Sequence, residues 1–459
     1  MGYGDLSCYN PDSKIATPNI DYLASEGIRF TDAHSPSSLC TPSRYGLLTG
    51  SYCWRTRLKS GVILGYDEQP LIDNNQPTIA SLLHIKGYET ACIGKWHLGM
   101  TWPTLEGYTL QDDHNEYHDS CSILTENERH IDFTKPIISG PLDVGFDYFF
   151  GSLGCTTSDP PYCFIENRKT ISIPTRMSPE EYKKLPGFVP GLMADDWSEE
   201  DVDLTFTKKA IGFIDKHLDQ NPNSPFFLYL ALNSPHNPFL PPEITKGTTQ
   251  EGPRGDLVAV VDWSVGKIVE YLKQSELFNH TLLIVTSDNG AVRGANGHRS
   301  EGNFRGYKAG IWEGGHRVPF IATWPGVIEA GTVCDSTLSL TDLFRTLDHA
   351  THGTYSAISN SDGYDMWPAF IGKSRHLAQK MPRVFHSGAG FFALRSGSWK
   401  LIEGTRGSGS APWKPHPDSL RMTGQLYNLN NDPGEQKNLW DQQPDRVQEF
   451  LNILEQIKR

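Results

Sequence analysis

The residues best suited to chemistry lie in Leu39-Cys40-Thr41-Pro42-Ser43-Arg44-Tyr45-Gly46-Leu47-Leu48-Thr49-Gly50. Thr41 reads as an N-cap and Pro42 as the first helical residue, where its missing N–H costs nothing. Leu47 and Leu48 give the helix a buried face, and Gly50 ends it. Cys40 then stands just outside a helix N-terminus, where free N–H groups favour negative charge. Arg44, one turn on, can point at the same spot. A sulfur, a helix dipole and a guanidinium would thus meet around one anion. Cys40 as a buried small hydrophobe ahead of an ordinary capped helix explains the same residues.

Four other segments carry reactive side chains next to apolar runs. Lys95 and His97 follow Glu89-Thr90-Ala91-Cys92-Ile93-Gly94 and share a side in extended chain. A solvated strand end explains them as well. His236 lies between prolines after Pro225-Phe226-Phe227-Leu228-Tyr229-Leu230-Ala231-Leu232, a run that predicts a strand buried on both faces. Asp288 and Asn289 end Thr281-Leu282-Leu283-Ile284-Val285-Thr286-Ser287 and can offer oxygens to a hard cation. The segment 291–319 is rich in glycine and basic residues, among them His298, Lys308, His316 and Arg317.

These residues need a scaffold. Helices are expected over 18–27, 76–88, 201–218, 256–272 and 444–458, with short apolar strands at 28–33, 89–94, 225–232, 281–286 and 320–325. Helices alternating with buried strands indicate an α/β fold with a largely parallel sheet, whose C-terminal strand ends are where ligands bind. From about residue 383 the pattern changes to short strands and turns.

With 459 residues the chain suggests two domains, or one large domain with an appended small one, and 37% hydrophobic residues allow a sizeable core. The net charge of −13 argues against general nucleic-acid binding, so an anionic substrate needs a local basic pocket. No apolar run is long enough to cross a membrane. The eight cysteines have no zinc spacing, and setting Cys40 aside leaves an odd number. Asn279-His280-Thr281 is a glycosylation sequon.

Cys-x-Pro-Ser-Arg-x-x-x-Leu-Thr-Gly at 40–50 resembles the signature of the type I sulfatases, members of the alkaline phosphatase superfamily. Gly94-Lys95-Trp96-His97-Leu98-Gly99, Pro235-His236-Asn237-Pro238 and Ser287-Asp288-Asn289-Gly290 resemble further strings of that family. The resemblance implies an alkaline-phosphatase-like sandwich, with a large mostly parallel central sheet flanked by helices. It places a catalytic domain at 1–375 and a small antiparallel α+β domain at 376–459. It implies a sulfuric ester hydrolase whose Cys40 is oxidised to formylglycine by a formylglycine-generating enzyme. The hydrated aldehyde would be the nucleophile, acting on a sulfated small molecule or glycan.

By the same resemblance, Lys95 and Lys308 bind sulfate, with Arg44 beside them. His97 is the base, and His236 protonates the leaving alkoxide. Residue 40, Asp288 and Asn289 ligate Ca²⁺, or alternatively Mg²⁺. Asp159 and Tyr162, in a turn-rich loop, are candidate substrate contacts, with His298, His316 and Arg317 at the pocket rim or in structural roles. Met1-Gly2-Tyr3-Gly4-Asp5-Leu6 resembles the string that follows a strand ending in an Asp pair, so that metal-binding pair would lie ahead of Met1. Relatives are mostly exported, and any signal would lie upstream too. A phosphatase or phosphonate hydrolase of the superfamily, or an anion-binding pseudo-enzyme, are the alternatives.

Overall fold

The computed structural model describes residues 1–63, 69–110, 127–353, 361–373, 381–404 and 424–459. It divides into two compact units, Met1–Val62 with Glu276–Arg459, and Ile63–Ser275.

In the Ile63–Ser275 unit the strand Glu89–Lys95 is central. It pairs in parallel with Tyr148–Ser152 on one side and Phe226–Ala231 on the other. Ile165–Glu166 and Lys169–Thr170 extend this five-stranded sheet by antiparallel pairing. The register sets Lys95 beside Ser152 and Gly94 beside Ala231. Three chain segments therefore leave the sheet at one edge, the carboxyl end of the parallel strands.

Gly94 has φ 117°, and a Cβ there would lie 2.1 Å from the Ala231 carbonyl oxygen, so only glycine fits this crossing. The preceding helix is Ile79–Ile85, shorter than 76–88, because Thr78 caps it reciprocally with Ser81. The helix Val202–Gln220 covers the sheet and joins the helix Pro253–Gln274 through a Thr207–Ser264 hydroxyl contact of 2.8 Å.

The strand expected to be buried on both faces is Phe226–Ala231, and five of its six residues are only half-buried. It is one of the two edge strands of this sheet among the described residues, with a partner strand on one side only.

In the other unit, a four-stranded sheet has the order Leu283–Thr286, Phe320–Thr323, Ile28–Phe30, Thr332–Cys334. Only the last pairing is parallel. A second sheet, Arg383–His386, Phe392–Ser396, Trp399–Ile402 and Gln425–Asn428, is fully antiparallel. The helix Pro444–Lys458 lies on it, inserting Val447, Phe450 and Leu454 among Tyr52, Trp54, Val384, Leu394, Leu401 and Leu426. Backbone bonds from His386 N to Pro36 O (3.2 Å) and Ser38 N to His386 O (3.0 Å) tie this sheet to the segment leading into Cys40.

Cys8, Cys40, Cys53, Cys92, Cys155, Cys163 and Cys334 are all free thiols, and Cys121 lies outside the described residues. Among the described residues no helix is long and apolar enough to cross a membrane.

Candidate active site

The helix carrying the nucleophile candidate runs Cys40–Thr49. Its N-cap is Leu39, extended at φ −137° and ψ 158°, and Ser43 N closes the first turn on Leu39 O at 3.2 Å. The expected cap at Thr41 is thus corrected: Cys40 is itself the first helical residue. Pro42 is tolerated two positions later because the amides of the first turn have no helical acceptor in any case. Gly50 ends the helix in the left-handed region at φ 67° and donates to Gly46 O.

Cys40 is buried, and its thiol donates to Asn289 Oδ1 at 3.4 Å. Asn289 Nδ2 donates to Gly290 O at 2.9 Å, which turns Oδ1 towards the sulfur. Arg44, one turn along, meets Asp288 Oδ2 with Nε and Nη2, both at 2.9 Å. Lys308 N donates to Ala291 O and Ala309 N to Ser38 O, each at 2.9 Å. The Lys308 segment is thereby stitched between the strands of chain that carry Asn289 and Cys40.

The second cluster lies at the sheet edge of the Ile63–Ser275 unit. Lys95 Nζ donates to Cys155 Sγ at 2.9 Å. His236 Nε2 lies 3.5 Å and His97 Nδ1 3.9 Å from the same sulfur. His97 takes a left-handed backbone, φ 58°, and its amide is held by Leu153 O at 2.8 Å. Such positions concentrate at functional sites. Its Nε2 bonds to Ile63 O at 2.8 Å, and His236 Nδ1 bonds to Asn237 O at 2.6 Å. A carbonyl only accepts, so these nitrogens carry the protons and each ring turns its lone pair to the sulfur.

Two members of this cluster carry no sequence signal of their own. Cys155 is one. The other is Asp203, in the first turn of Val202–Gln220, whose oxygens accept from Asn233 N and Ser234 N at 2.8 Å and so fix the His236 loop. Strand register, which sets Ser152 beside Lys95, brings in Cys155, and the first turn of the covering helix brings in Asp203; neither is visible in the sequence.

Asp159 accepts from Cys155 N at 2.5 Å and lies 3.5 Å from His97 Nε2. Burial, with Cys155 nearby, pushes its carboxyl well above the usual range, against the pull of Lys95. Tyr162 is fully buried, stacks on Phe188 and donates to Val189 O. Burial also holds its hydroxyl protonated.

The basic residues of 291–319 are mostly engaged internally. His298 Nε2 binds Asp5 Oδ1 at 2.9 Å, and both side chains are fully buried. Lys400 donates to His316 Nε2 (3.0 Å), which leaves His316 Nδ1 to donate to His34 Nδ1 (3.0 Å) and His34 Nε2 to donate to Asp32 (2.8 Å). Burial depresses both imidazoles, as a neutral relay requires. Arg317 pairs with Asp32 at 2.9 Å and Glu313 at 2.7 Å.

The sulfatase family pattern matches residues 1–353. The chain belongs to the sulfatase family. It is 30% identical over 501 residues to the N-acetylgalactosamine-6-O-sulfatase of Bacteroides thetaiotaomicron, covering 100% of this chain and 91% of that protein. It is 31% identical over 470 residues to human arylsulfatase A, covering 100% and 85%. A solved structure from the metabolism of multiple glycosaminoglycans by Bacteroides thetaiotaomicron superposes with TM-score 0.82 at 29% identity, covering 100% of this chain and 97% of the other. The chain is a sulfuric ester hydrolase with the alkaline-phosphatase-like α/β fold.

Sulfatases depend on formylglycine and a divalent metal. Asp288 and Asn289 fit a hard cation in kind: one carboxylate and one amide oxygen, the latter turned onto residue 40. They form part of the oxygen set that such an ion takes.

Proposed function

We propose that this sulfatase removes sulfate from a carbohydrate ester, with Cys40 as the precursor of its nucleophile. The observation that carries the reading is the contact of the buried Cys40 thiol with Asn289 Oδ1, beside the Arg44–Asp288 pair on the same helix. A nucleophile precursor and candidate hard-cation ligands touch there. The carbohydrate class follows from the relative named N-acetylgalactosamine-6-O-sulfatase, which aligns along the whole chain.

As a hydrated formylglycine, residue 40 supplies a geminal diol whose hydroxyl attacks sulfur. Asp288 and Asn289 would hold Ca²⁺, or alternatively Mg²⁺, which would supply charge stabilisation when bound. Lys95 and Lys308 take the anionic oxygens of the sulfate, and Arg44 holds Asp288 in place while adding positive charge. His236, once protonated at Nε2 as well, gives that second proton to the leaving alkoxide, and His97 accepts a proton at Nδ1 when residue 40 is released. A formylglycine-generating enzyme reads Cys40 to Arg44 during maturation, and the protein is exported.

The test is production with a formylglycine-generating enzyme, followed by ion chromatography of sulfate released from 6-sulfated N-acetylgalactosamine and from other sulfated sugars. Mass spectrometry of the peptide spanning Cys40 reports the exchange of its thiomethyl group for an aldehyde. The expected result is sulfate release that requires both conversion and Ca²⁺. Full conversion with no release from any sugar ester overturns the reading.

A further inference from the structure

The cluster around Cys155 has a composition that sulfate binding alone does not call for. His97, Cys155 and Asp159 each place one donor atom within 4.8 Å of the others, all three buried. His236 Nε2 adds a fourth donor, 3.5 Å from Cys155 Sγ. We propose that His97, Cys155, Asp159 and His236 form a second metal site, selective for a soft divalent cation of the zinc class.

The geometry supports this at the level of edges. On a tetrahedral zinc a thiolate sulfur and an imidazole nitrogen are about 3.6 Å apart, from bond lengths of about 2.3 and 2.05 Å. The two sulfur–nitrogen distances here are 3.5 and 3.9 Å. Both imidazoles already present lone pairs to the sulfur, because Ile63 O and Asn237 O take their other N–H groups. Carbonyl partners of this kind orient histidine ligands in metal sites.

Lys95 remains compatible with the ion. Its ammonium donates to Sγ at 2.9 Å, an outer hydrogen bond that a metal-bound thiolate can still accept. Two ligand anions, Cys155 and Asp159, balance a divalent charge. Binding transfers the thiol proton to solvent, and the Asp159 proton as well, since burial keeps that carboxyl protonated. No electron moves, so no oxidant is needed.

The donor set separates this site from the one at Asp288 and Asn289. Sulfur and imidazole select zinc-class ions, whereas carboxylate and amide oxygens select Ca²⁺ or Mg²⁺. A zinc-class ion would occupy the lone pairs of His97 and His236. Where those residues act as base and acid, its binding stops turnover. That consequence rests on the proposed roles, while the binding does not.

The experiment titrates Co²⁺ and then Zn²⁺ into the purified full chain held in excess Ca²⁺. The expected signal is a near-ultraviolet thiolate-to-cobalt charge-transfer band that Zn²⁺ abolishes at one equivalent. Cys155→Ser removes the band and weakens Zn²⁺ binding, while Cys40→Ser keeps both. Absence of the band in the unsubstituted chain overturns the proposal without reference to any variant, and so does a band that survives in Cys155→Ser. Turnover of a sulfate ester is read separately, so its absence cannot be mistaken for absence of the metal.

Discussion

Lys400→Met tests how the antiparallel sheet supports the Asp288–Asn289 turn. Lys400 is fully buried, donates to Glu313 Oε1 (3.0 Å) and His316 Nε2 (3.0 Å), and forms an ion pair with Glu435 Oε1 at 2.9 Å. Removing one partner of a buried ion pair costs about 3–5 kcal/mol, because the other charge is left unpaired. Here two carboxylates lose their cation, but unequally. Glu313 keeps Arg317 at 2.7 Å. Burial already raises Glu435 to about 7, against the pull of Lys400. Glu435 can therefore take up a proton cheaply near neutrality, which places the loss at the lower end, about 3 kcal/mol.

For a unit of this size, that loss lowers the thermal midpoint by about 6–12 °C. Without Lys400 the folded-state value of Glu435 rises further. The penalty therefore shrinks as pH falls and the carboxyl protonates, and it grows above neutrality. Differential scanning calorimetry at about pH 5.5 and about pH 8 measures both terms. Glu435→Gln in the Lys400→Met background should recover about 1 kcal/mol or more at the higher pH. A midpoint unchanged by Lys400→Met, or a loss independent of pH, refutes this account of the network. The effect should also reach the active site. Gly290, next to Asn289, donates its amide to Gly315 O at 2.9 Å, inside the helix Glu313–His316 that Lys400 anchors.

Gly290→Ala should abolish sulfate ester turnover, because its Cβ would lie 2.0 Å from Gly314 O and push the Asp288–Asn289 turn away; kinetics at saturating Ca²⁺ check it. Arg44→Lys should lower kcat/KM by roughly one to two orders of magnitude, since an ammonium cannot reproduce the two guanidinium contacts to Asp288 Oδ2. Asp203→Asn turns an N–H₂ towards one of the amides of Asn233 and Ser234 and loosens the His236 loop. Alkyl sulfates, which need a proton on the leaving oxygen, should then slow more than 4-nitrophenyl sulfate in parallel assays. Burial works against ionised Asp32, yet Arg317 and Arg395 hold its carboxyl well below the usual range. Its contribution is present above the unfolded value of about 3.9 and is lost only as pH falls through the lowered folded value. Asp32→Asn should therefore destabilise at neutral pH, and the deficit should persist at about pH 4 in denaturant titrations.

What the sequence disclosed and what it hid divide along physical lines. The helix 444–458 and the glycine stop at Gly50 were legible because periodicity and a left-handed cap are local properties. The strings holding Cys40, Lys95, His236 and Asp288 were legible for the same reason. Thr41 misled because any polar residue near a first turn looks like a cap, whereas the backbone of Leu39 decides where the helix begins. The basic segment 291–319 was opaque because a charge says nothing about its partner. His298 is matched by Asp5, from the opposite end of the sequence, and Arg317 by Asp32. Once those pairs are drawn, the positive charge free to meet an anion is much smaller than the sequence suggests. Arg317, Arg395 and Lys400 are neutralised among Asp32, Glu313 and Glu435. Lys308 has its backbone fixed between the Asn289 and Cys40 segments, whereas Arg305 of the same segment is spent on Glu435 O and the Trp312 ring. In a chain of net charge −13, the abundance of basic residues in 291–319 is therefore a poor measure of the charge available to an anion, because several of them answer carboxylates distant in sequence.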